Sequence, residues 1–583
     1  MKVLLTVHQF FPEYFSGTEV LTYSVARELI RRGHQVAVYT GYPARELLPD
    51  DDRFDEYEID GIKVYRFHHA YALAEGQSAI SEVEYNNHLS ARYFSGLVDR
   101  LQPDCVHFFH LSRLGAGLID VVHGKGVAAY YTPTDFWSVC PTSQLLLGDG
   151  SVCAGPVRHG GNCVKHVAAL TGWRSYAGVV KRLPDIAIDA VAAAAKSKKV
   201  PDFPFRSEIA ALSRRVDFNV SRLNTLRAII SPTELMTRVL QGNGVSREKI
   251  VQSAYGIDIS GFDGADRSPH RGGSLTVGYI GTLAPHKGCH VLIDAVKGLG
   301  NCGVTVKIYG NPHDFPDYYS KLRGSVAGVE SIEFCGTFSN GDIAEVLGGL
   351  DVLVVPSVWY ENTPLVVYSA LAAKCPVVAS NFPGMSEVVL HESNGLLFEP
   401  SDANELRQCL ARLAGEDGLV DRLSRNCRPP KSIATYVDEV LEVYDKTRSA
   451  ESRTDLKFQT FEPFLPVKSF GSVAGWVVVA GLGVKSLKVL LGGEVIGVAH
   501  RFMPRQDVAR GLASSGVTVE GDRFGFAFSL TKSFDWNLAS IEVEAVTGQV
   551  SNISCSRLSA GAVVQFEGSG ILAFDRIEQA RDA

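Results

Sequence analysis

LTVGYIGTLAPHKGCHVLIDAVKGL, residues 275–299, decides the fold. Its first stretch, LTVGYIG (275–281), is a short apolar run of the kind that lies in a sheet covered on both faces. TLAPHKG (282–288) follows as a loop punctuated by Pro and Gly. CHVLIDAVKGL (289–299) then reads as a helix. Further strands follow at TVKIYG (305–310), IEFCG (332–336), DVLVVPS (351–357) and PVVAS (376–380), and a last helix lies near 432–447. The same grammar opens the chain. KVLLTV (2–7) is a strand and HQFFPEYFSG (8–17) a loop. TEVLTYSVARELIRRGH (18–34) carries Val20, Leu21, Val25, Leu29 and Ile30 at helical spacing, and Gly33 ends it. QVAVYT (35–40), IKVYRF (62–67), CVHFFH (105–110) and AAYYTP (128–133) continue the strands. Strand–helix alternation of this kind is the doubly wound α/β pattern.

The pattern breaks over 140–225, a Cys-containing loop and a weakly helical insertion, and RAIISP (227–232) returns to strand character. Residues 448–458 are polar and read as a linker. From about 465 the period changes to short strands with Gly-rich turns, apart from a short turn around 505–513, which predicts a small antiparallel β-sandwich. The chain of 583 residues thus divides into two α/β domains and one all-β module.

With 45% hydrophobic and 21% charged residues the composition is that of a soluble globular protein, and a net charge of −7 argues against nucleic-acid binding by bulk electrostatics. No apolar run is long enough to cross a bilayer. The first residues read as a strand rather than a signal peptide. An odd number of Cys, eleven, scattered through strands and helices fits reduced thiols in a cytoplasmic protein.

Open α/β sheets bind ligands at the carboxyl ends of their strands, so two of them can face each other across a cleft. Four loops would line it. In SGTE (16–19), Gly17 allows close backbone approach and the helix behind it favours an anion; the alternative is a plain strand–helix turn. In GTLAPHKG (281–288), Lys287 can neutralise a diphosphate, although the spacing is not that of a Walker loop; the alternative is a surface Lys at a helix start. In ENTPL (361–365), Thr363 can cap, Pro364 suits the first helical position, and Glu361 can accept hydrogen bonds from sugar hydroxyls; the alternative is a solvated acid. In FPGMSE (382–387), Gly384 makes a loop and Glu387 has helix capping as its plain alternative. His110 ends a strand where side chains enter a cleft, as a sugar contact or acid/base group. His107, mid-strand, reads as a satisfied core histidine.

These pieces in order resemble the retaining GT-B-fold glycosyltransferases of family 4. The resemblance covers roughly residues 1–447 and rests on the 16–40 segment, PDCVHFFH (103–110), TPTDFWSVCP (132–141), ISPTE (230–234), YGID (255–258), GYIGTLAPHKG (278–288), PSVWYENTPLVV (356–367), PVVASNFPGMSEVV (376–389) and NGLLF (394–398). It implies two Rossmann-like domains facing across a cleft. Residues 1–240 would form the acceptor domain and 241–430 the nucleotide-sugar domain. A terminal helix at 431–447 would pack back on the first domain, with a linker at 448–458 and the β module at 459–583. It implies a nucleoside diphosphate sugar donor, a glycan or lipid-linked acceptor, no cofactor for catalysis, and a role in bacterial surface polysaccharide synthesis. Catalysis would fall to Glu361, His110 and Lys287. The donor would meet Gly17, Thr18, Thr282, Lys287, Glu361, Asn362, Thr363, Pro364, Leu365, Ser369 and Gly384; the acceptor side would carry His8, His110 and Asp135.

Three positions depart from the family. Thr282 stands where an Arg is usual, and Ser369 where a second Glu, eight residues after Glu361, normally holds the ribose. Thr134 stands where a His often precedes Asp135. A neutral hydroxyl is worth about 1 kcal/mol against about 1.5–3 for a charged partner, which weakens the ribose grip. The alternative function is a degenerate transferase scaffold that binds glycan or a partner protein; a sugar-nucleotide epimerase fits the acceptor-side motifs less well.

Cys140, Cys153, Cys163 and His166 follow a C-x12-C-x9-C-x2-H spacing, which suits a structural zinc site in a loop without its own core; free thiols or one disulfide are the alternatives. Residues 181–227 hold ten Lys/Arg against five acids, a local +5. With interleaved apolar residues this suits an anionic membrane surface, at the inner face of the membrane, or a lipid-diphosphate acceptor; a solvated insertion packing on its own domain is the alternative. The β module, with Gly475–Trp476, RQDV (505–508) and FGFAF (524–528), resembles accessory modules of bacterial polysaccharide-handling proteins and reads as a docking or binding unit.

Overall fold

The computed structural model describes residues 1–452, except 45–47, 50–51, 71–72, 74–75, 171–179, 181, 198, 263–273 and 301–302, together with the strands of 471–579 named below. Two compact units result, Met1–Thr447 and Arg448–Ala583.

The first unit holds two sheets. One contains β1 (Lys2–Val7), β2 (Gln35–Pro43), β3 (Phe54–Ile59), β4 (Ile62–His69), β5 (Cys105–Phe108), β6 (Ala128–Tyr131), β7 (Ala228–Ser231) and β8 (Ile250–Gln252), in the order β3-β4-β2-β1-β5-β6-β7-β8. Every pairing is parallel except that of β3 with β4. The apolar run in β1 is buried on both faces, as a parallel strand covered by crossover helices must be. Strand β3, FDEYEI, sits at the edge with alternating half-buried and exposed residues, which is why its acids are tolerated.

The other sheet contains β9 (Leu275–Ile280), β10 (Val304–Tyr309), β11 (Ile332–Gly336), β12 (Val352–Val355), β13 (Val377–Ser380) and β14 (Gly395–Phe398), in the order β11-β10-β9-β12-β13-β14, all parallel. In both sheets the order reverses beside the first strand, between β1 and β5 and between β9 and β12. Loops leaving the strand ends at such a reversal diverge and open a crevice.

The described residues of 140–225 form more helix than the sequence suggests. Helices Gly161–Leu170, Asp185–Lys196 and Arg206–Leu223 pack on one another through Val164, Ile188, Ala192, Ile209 and Leu212. Lys181 and Lys198 of the basic stretch lie outside the described residues.

The helix Ile433–Ser452 crosses back to the first sheet. Its Tyr436, Val437, Val440 and Tyr444 are fully buried in the same core as Val3, Leu5 and Tyr130. His107 is held there, its Nδ1 2.6 Å from the Tyr444 hydroxyl and its Nε2 2.8 Å from Thr132 Oγ1. Burial pushes the His107 imidazole down to about 3. The helix runs past Thr447 into the stretch read as linker, because no Gly or Pro interrupts it. Residues 453–470 lie outside the described residues.

The second unit contains β15 (Gly471–Val479), β16 (Val484–Leu491), β17 (Glu494–Ala499), β18 (Met503–Pro504), β19 (Arg523–Ser529), β20 (Ala539–Ala545), β21 (Val550–Ser554), β22 (Val563–Phe566) and β23 (Gly570–Gln579). They form two antiparallel sheets, β18-β19-β15-β23-β22 and β17-β16-β20-β21. Val477, Leu487, Val489, Ile541 and Val543 are buried. The segments 505–508 and 505–513 singled out above lie outside the described residues.

Candidate active site

Lys287 ends a short 3-10 turn, Pro285–Lys287, after β9. Gly288 follows at φ +72, and a Cβ there would overlap the Pro356 carbonyl oxygen, so only glycine lets this loop lie against the end of β12. The contact sets Lys287 over residues 357–361. Its ammonium donates to Glu361 Oε1 at 2.7 Å. The same oxygen accepts from Ser357 Oγ at 2.7 Å and Trp359 Nε1 at 2.9 Å. Lys287 Nζ also lies 5.1 Å from the centre of the Trp359 ring, within cation–π range. Burial pushes the Glu361 carboxyl up, but the Lys287 charge and the three hydrogen bonds outweigh it and leave Glu361 below its ordinary value. It is therefore a buried, ionised, fully oriented carboxylate.

Gly384, at φ +88 in the loop after β13, presses on the same segment; a Cβ there would overlap the Glu361 carbonyl oxygen. Thr363 does not cap, contrary to expectation. It sits at φ +56 and donates to the Gly384 carbonyl at 3.0 Å. The cap position of the helix Leu365–Ala372 belongs to Pro364, not the first helical position, and no side chain caps that terminus. Its first N–H groups are thus left for an outside acceptor. Ser369 Oγ bonds the Leu365 carbonyl of its own helix at 3.3 Å. The Thr282 carbonyl accepts from the Tyr279 hydroxyl at 2.9 Å.

The loops of the two sheets meet beside this cluster. Asn362 Nδ2 donates to the Pro133 carbonyl at 3.2 Å and lies 3.1 Å from the Tyr255 hydroxyl, while Asn362 Oδ1 accepts from Thr233 Oγ1 at 2.7 Å. Tyr360 lies against Phe136, with ring centres 6.5 Å apart. Glu387 accepts from the backbone N–H groups of Glu234 and Leu235 at 2.8 and 3.0 Å, so it caps the helix Glu234–Gly242 of the opposite sheet rather than its own segment.

On the first-sheet side, His8 at the end of β1 and His110 after β5 lie ring against ring, 4.1 Å apart. His110 Nε2 is 2.9 Å from Asp135 Oδ2, and His110 Nδ1 accepts from the Ser112 N–H at 3.1 Å. With Nδ1 accepting, the ring proton sits on Nε2 and is donated to Asp135. Both nitrogens are engaged, so the imidazole orients Asp135, whose other oxygen accepts from the Trp137 N–H at 2.8 Å. His8 Nε2 lies 3.6 Å from Glu19 Oε1. Burial, then the neighbouring His110, Arg113 and His69, push His8 well below its usual value, and burial pushes the Glu19 carboxyl up. His8 Nδ1 and Glu19 Oε1 have no hydrogen-bond partner among the described residues. Thr18 Oγ1 donates to Thr134 Oγ1 at 2.9 Å, joining the Gly17 loop to the Asp135 loop. Gly17 opens the helix Gly17–Arg31, and a Cβ there would meet nothing within 4 Å.

The structure thus gathers Lys287, Glu361, Asn362, Thr363 and Gly384 into one cluster, and His8, His110 and Asp135 into another. It turns Ser369 onto its own helix. Glu19, Ser357, Trp359 and Tyr255 were missed; only Trp359, beside Glu361, carried a hint in its indole donor. Cys140, Cys153, Cys163 and His166 line one small cavity, distinct from both clusters. Among the described residues no three His, Cys, Asp or Glu side chains stand at ligand spacing.

Two parallel sheets with facing strand ends define the GT-B class of fold, and the comparisons agree. Sucrose-phosphate synthase of Thermosynechococcus elongatus superimposes with a TM-score of 0.53 at 15% identity, covering 77% of this chain and 99% of that one. The model of glycosyltransferase family 4 matches residues 15–144, and that of glycosyl transferases group 1 matches residues 274–416, one on each sheet. Among curated relatives, glycogen synthase of Mycobacterium tuberculosis is 28% identical over 39% of this chain and 55% of its own. Phosphatidyl-myo-inositol mannosyltransferase of Mycobacterium leprae is 31% identical over 25% of this chain and 39% of its own, so the match spans about half or less of these relatives' lengths. Both family models and these relatives support a GT-B glycosyltransferase similar to those of family 4 and group 1.

Proposed function

We propose that this chain is a retaining glycosyltransferase that moves a hexosyl group from a nucleoside diphosphate to a hydroxyl of a glycan or lipid-linked acceptor, in bacterial surface polysaccharide synthesis. The observation that carries the reading is the Lys287–Glu361 pair, set beside the free N-terminus of the helix Leu365–Ala372. When the sugar–oxygen bond of the donor breaks, negative charge develops on the diphosphate and positive charge on the sugar ring. Lys287 and the helix N–H groups stabilise the first. Glu361 receives the hydroxyls of the hexose, and its negative charge favours the oxocarbenium-like ring. Asp135, oriented by His110, receives the acceptor hydroxyl from the other side. The names of the two relatives, one for glycogen synthesis and one for mannosyl transfer to a phosphatidylinositol, support both acceptor types. The basic insertion, with Ile186 82% exposed, supports contact with an anionic lipid surface.

The test is incubation of the full chain with a panel of nucleoside diphosphate sugars and measurement of diphosphate release. Release from at least one donor, lost in Glu361→Gln, is expected. No release from any donor, with calorimetry equally blank, ends this reading. A non-enzymatic glycan-binding scaffold is the second reading, favoured by Ser369 bonding its own helix instead of presenting an acid. It predicts glycan binding that disappears on deletion of 459–583 and ignores Glu361→Ala.

A further inference from the structure

We infer that Tyr255 is a positioning residue of the transfer site: from the place where the chain's two crossings between the sheets meet, its hydroxyl holds the Asp135 loop and the Glu361 loop in register. The inference rests on the transferase reading above. The chain passes between the sheets twice, after β8 and again ahead of the helix Ile433–Ser452. These crossings are laced together. The Ile257 N–H donates to the Lys431 carbonyl at 3.1 Å, and the Ile433 N–H to the Ile257 carbonyl at 2.7 Å. Next to Tyr255, a Cβ on Gly256 would overlap the Ser432 carbonyl oxygen and Tyr436 Cβ, so the crossings lie as close as a residue without a side chain allows. Beside them Ser253 Oγ and Lys431 Nζ both donate to Glu439 Oε2, each at 2.5 Å. Tyr255 thus springs from backbone that is fixed on both sides, and its ring is buried in the same core as Tyr436.

The hydroxyl donates to the Pro133 carbonyl at 2.7 Å and accepts from Asn362 Nδ2 at 3.1 Å. The other Nδ2 hydrogen reaches the same Pro133 carbonyl at 3.2 Å. Thr233 settles which way the Asn362 amide points. Its Oγ1 accepts from the Met236 N–H at 3.1 Å, so its own proton is free to go to Asn362 Oδ1, 2.7 Å away. Nδ2 then faces Tyr255 and Pro133. Burial, followed by the nearby Tyr436, Tyr368, Tyr131 and Asp135, pushes the Tyr255 phenol well above its usual range, so it keeps the proton that it donates.

Pro133 lies two residues before Asp135, and Asn362 directly follows Glu361. One oxygen atom therefore stands between the neighbours of both acids. In the transfer, the acceptor hydroxyl at Asp135 must approach the sugar carbon whose hydroxyls Glu361 holds, and a misplacement of about 1 Å can cost roughly 100-fold in rate. A tyrosine rooted in the crossings sets that span without touching either substrate. For core packing a phenylalanine ring would serve as well; the hydroxyl adds the link to the two loops.

Tyr255→Phe removes that one oxygen and keeps the ring. Tyr436→Phe is the control, since it removes a buried hydroxyl at the same junction, one that lies 3.4 Å from Thr132 Oγ1. Diphosphate release by the full chain is measured with nucleoside diphosphate sugar in water alone and with n-octyl glycosides as acceptor probes. Tyr255→Phe should keep donor KM and release into water within about twofold, and lower kcat for transfer to the glycoside by about 10-fold or more. Tyr436→Phe should change neither. Hydrogen exchange, read without substrate, should quicken in Tyr255→Phe at both 132–137 and 359–363, and at neither segment in Tyr436→Phe. Where the unaltered chain releases no diphosphate, or no glycoside raises its release, the exchange result decides alone; the first of these outcomes also ends the transferase reading. Equal glycoside transfer by Tyr255→Phe and the unaltered chain, or exchange that quickens at one segment or at neither, overturns the inference.

Discussion

Lys287 and Glu361 are joined at 2.7 Å, yet a quarter of the Lys287 side chain is exposed while Glu361 keeps only 7% of its own in solvent. The lysine can therefore turn toward a diphosphate while the carboxylate stays in place. Removing Lys287 leaves a buried charge with only two neutral donors. Lys287→Ala should destabilise the chain by about 3 kcal/mol, the low end for a broken buried pair because the partner is part-exposed, and Glu361→Gln should cost less. If the proposed transfer is right, both should lose at least about 100-fold in donor turnover, since each would hold charge that develops during bond breaking. Thermal melts and diphosphate release measured side by side separate the two effects.

Two glycines should behave in opposite ways. Gly384→Ala forces a side chain onto the Glu361 carbonyl at a backbone angle that favours glycine, and should cost about 1–3 kcal/mol. Gly17→Ala meets no neighbour, so the melting temperature should hold while KM for donor or acceptor rises. An unchanged KM would remove Gly17 from the ligand path.

Asn362 ties the two sheets through Pro133, Tyr255 and Thr233. Asn362→Ala strands buried groups on both sides and should cost about 1–3 kcal/mol. Its scattering profile should also expand, as expected if these bonds hold the lobes together.

Ser369→Glu would place a carboxylate where the resemblance to family 4 implies a ribose-holding Glu. The gain over a neutral hydroxyl, about 1 kcal/mol, corresponds to roughly fivefold tighter nucleotide binding. Isothermal calorimetry with uridine and guanosine diphosphates checks it; weaker binding in the variant would show that Ser369 does not face the ribose.

Acid should destabilise the first unit through His107. Its folded value of about 3 lies below the ordinary 6.5, so the contribution is full above about 6.5. As pH falls from there toward 3, the unfolded chain takes a proton that the folded one refuses, and stability drops by up to about 1.4 kcal/mol per pH unit. His69 and His286, each lowered to about 4 chiefly by burial, act in the same direction. Melts from pH 7 to 5 should show a shallower slope in His107→Gln than in the unaltered chain.

What could be read from sequence was whatever depends on near neighbours in the chain. Four buried apolar residues of β1, Val3, Leu4, Leu5 and Val7, announce a parallel strand wherever they occur. β3 did not announce itself, because an edge strand of alternating acids and half-buried aromatics looks like loop, and β8 is only three residues long. In the site, Lys287 and Glu361 were visible because loop glycines and a helix start frame them. The behaviour of Thr363 was not: its αL turn is set by Gly384, twenty-one residues on. Glu387 likewise caps a helix about 150 residues earlier, a partnership no local pattern encodes.

The helix Ile433–Ser452 gives the synthesis of this chain an order of events. The first sheet is complete by residue 252, yet Tyr436 and Tyr444 belong to its interior. During translation those strands must wait, with Tyr130 and His107 uncovered, until nearly two hundred further residues have left the ribosome. At about 5–20 residues per second that is roughly ten to forty seconds of exposed apolar surface, an interval in which a holding chaperone would find its client.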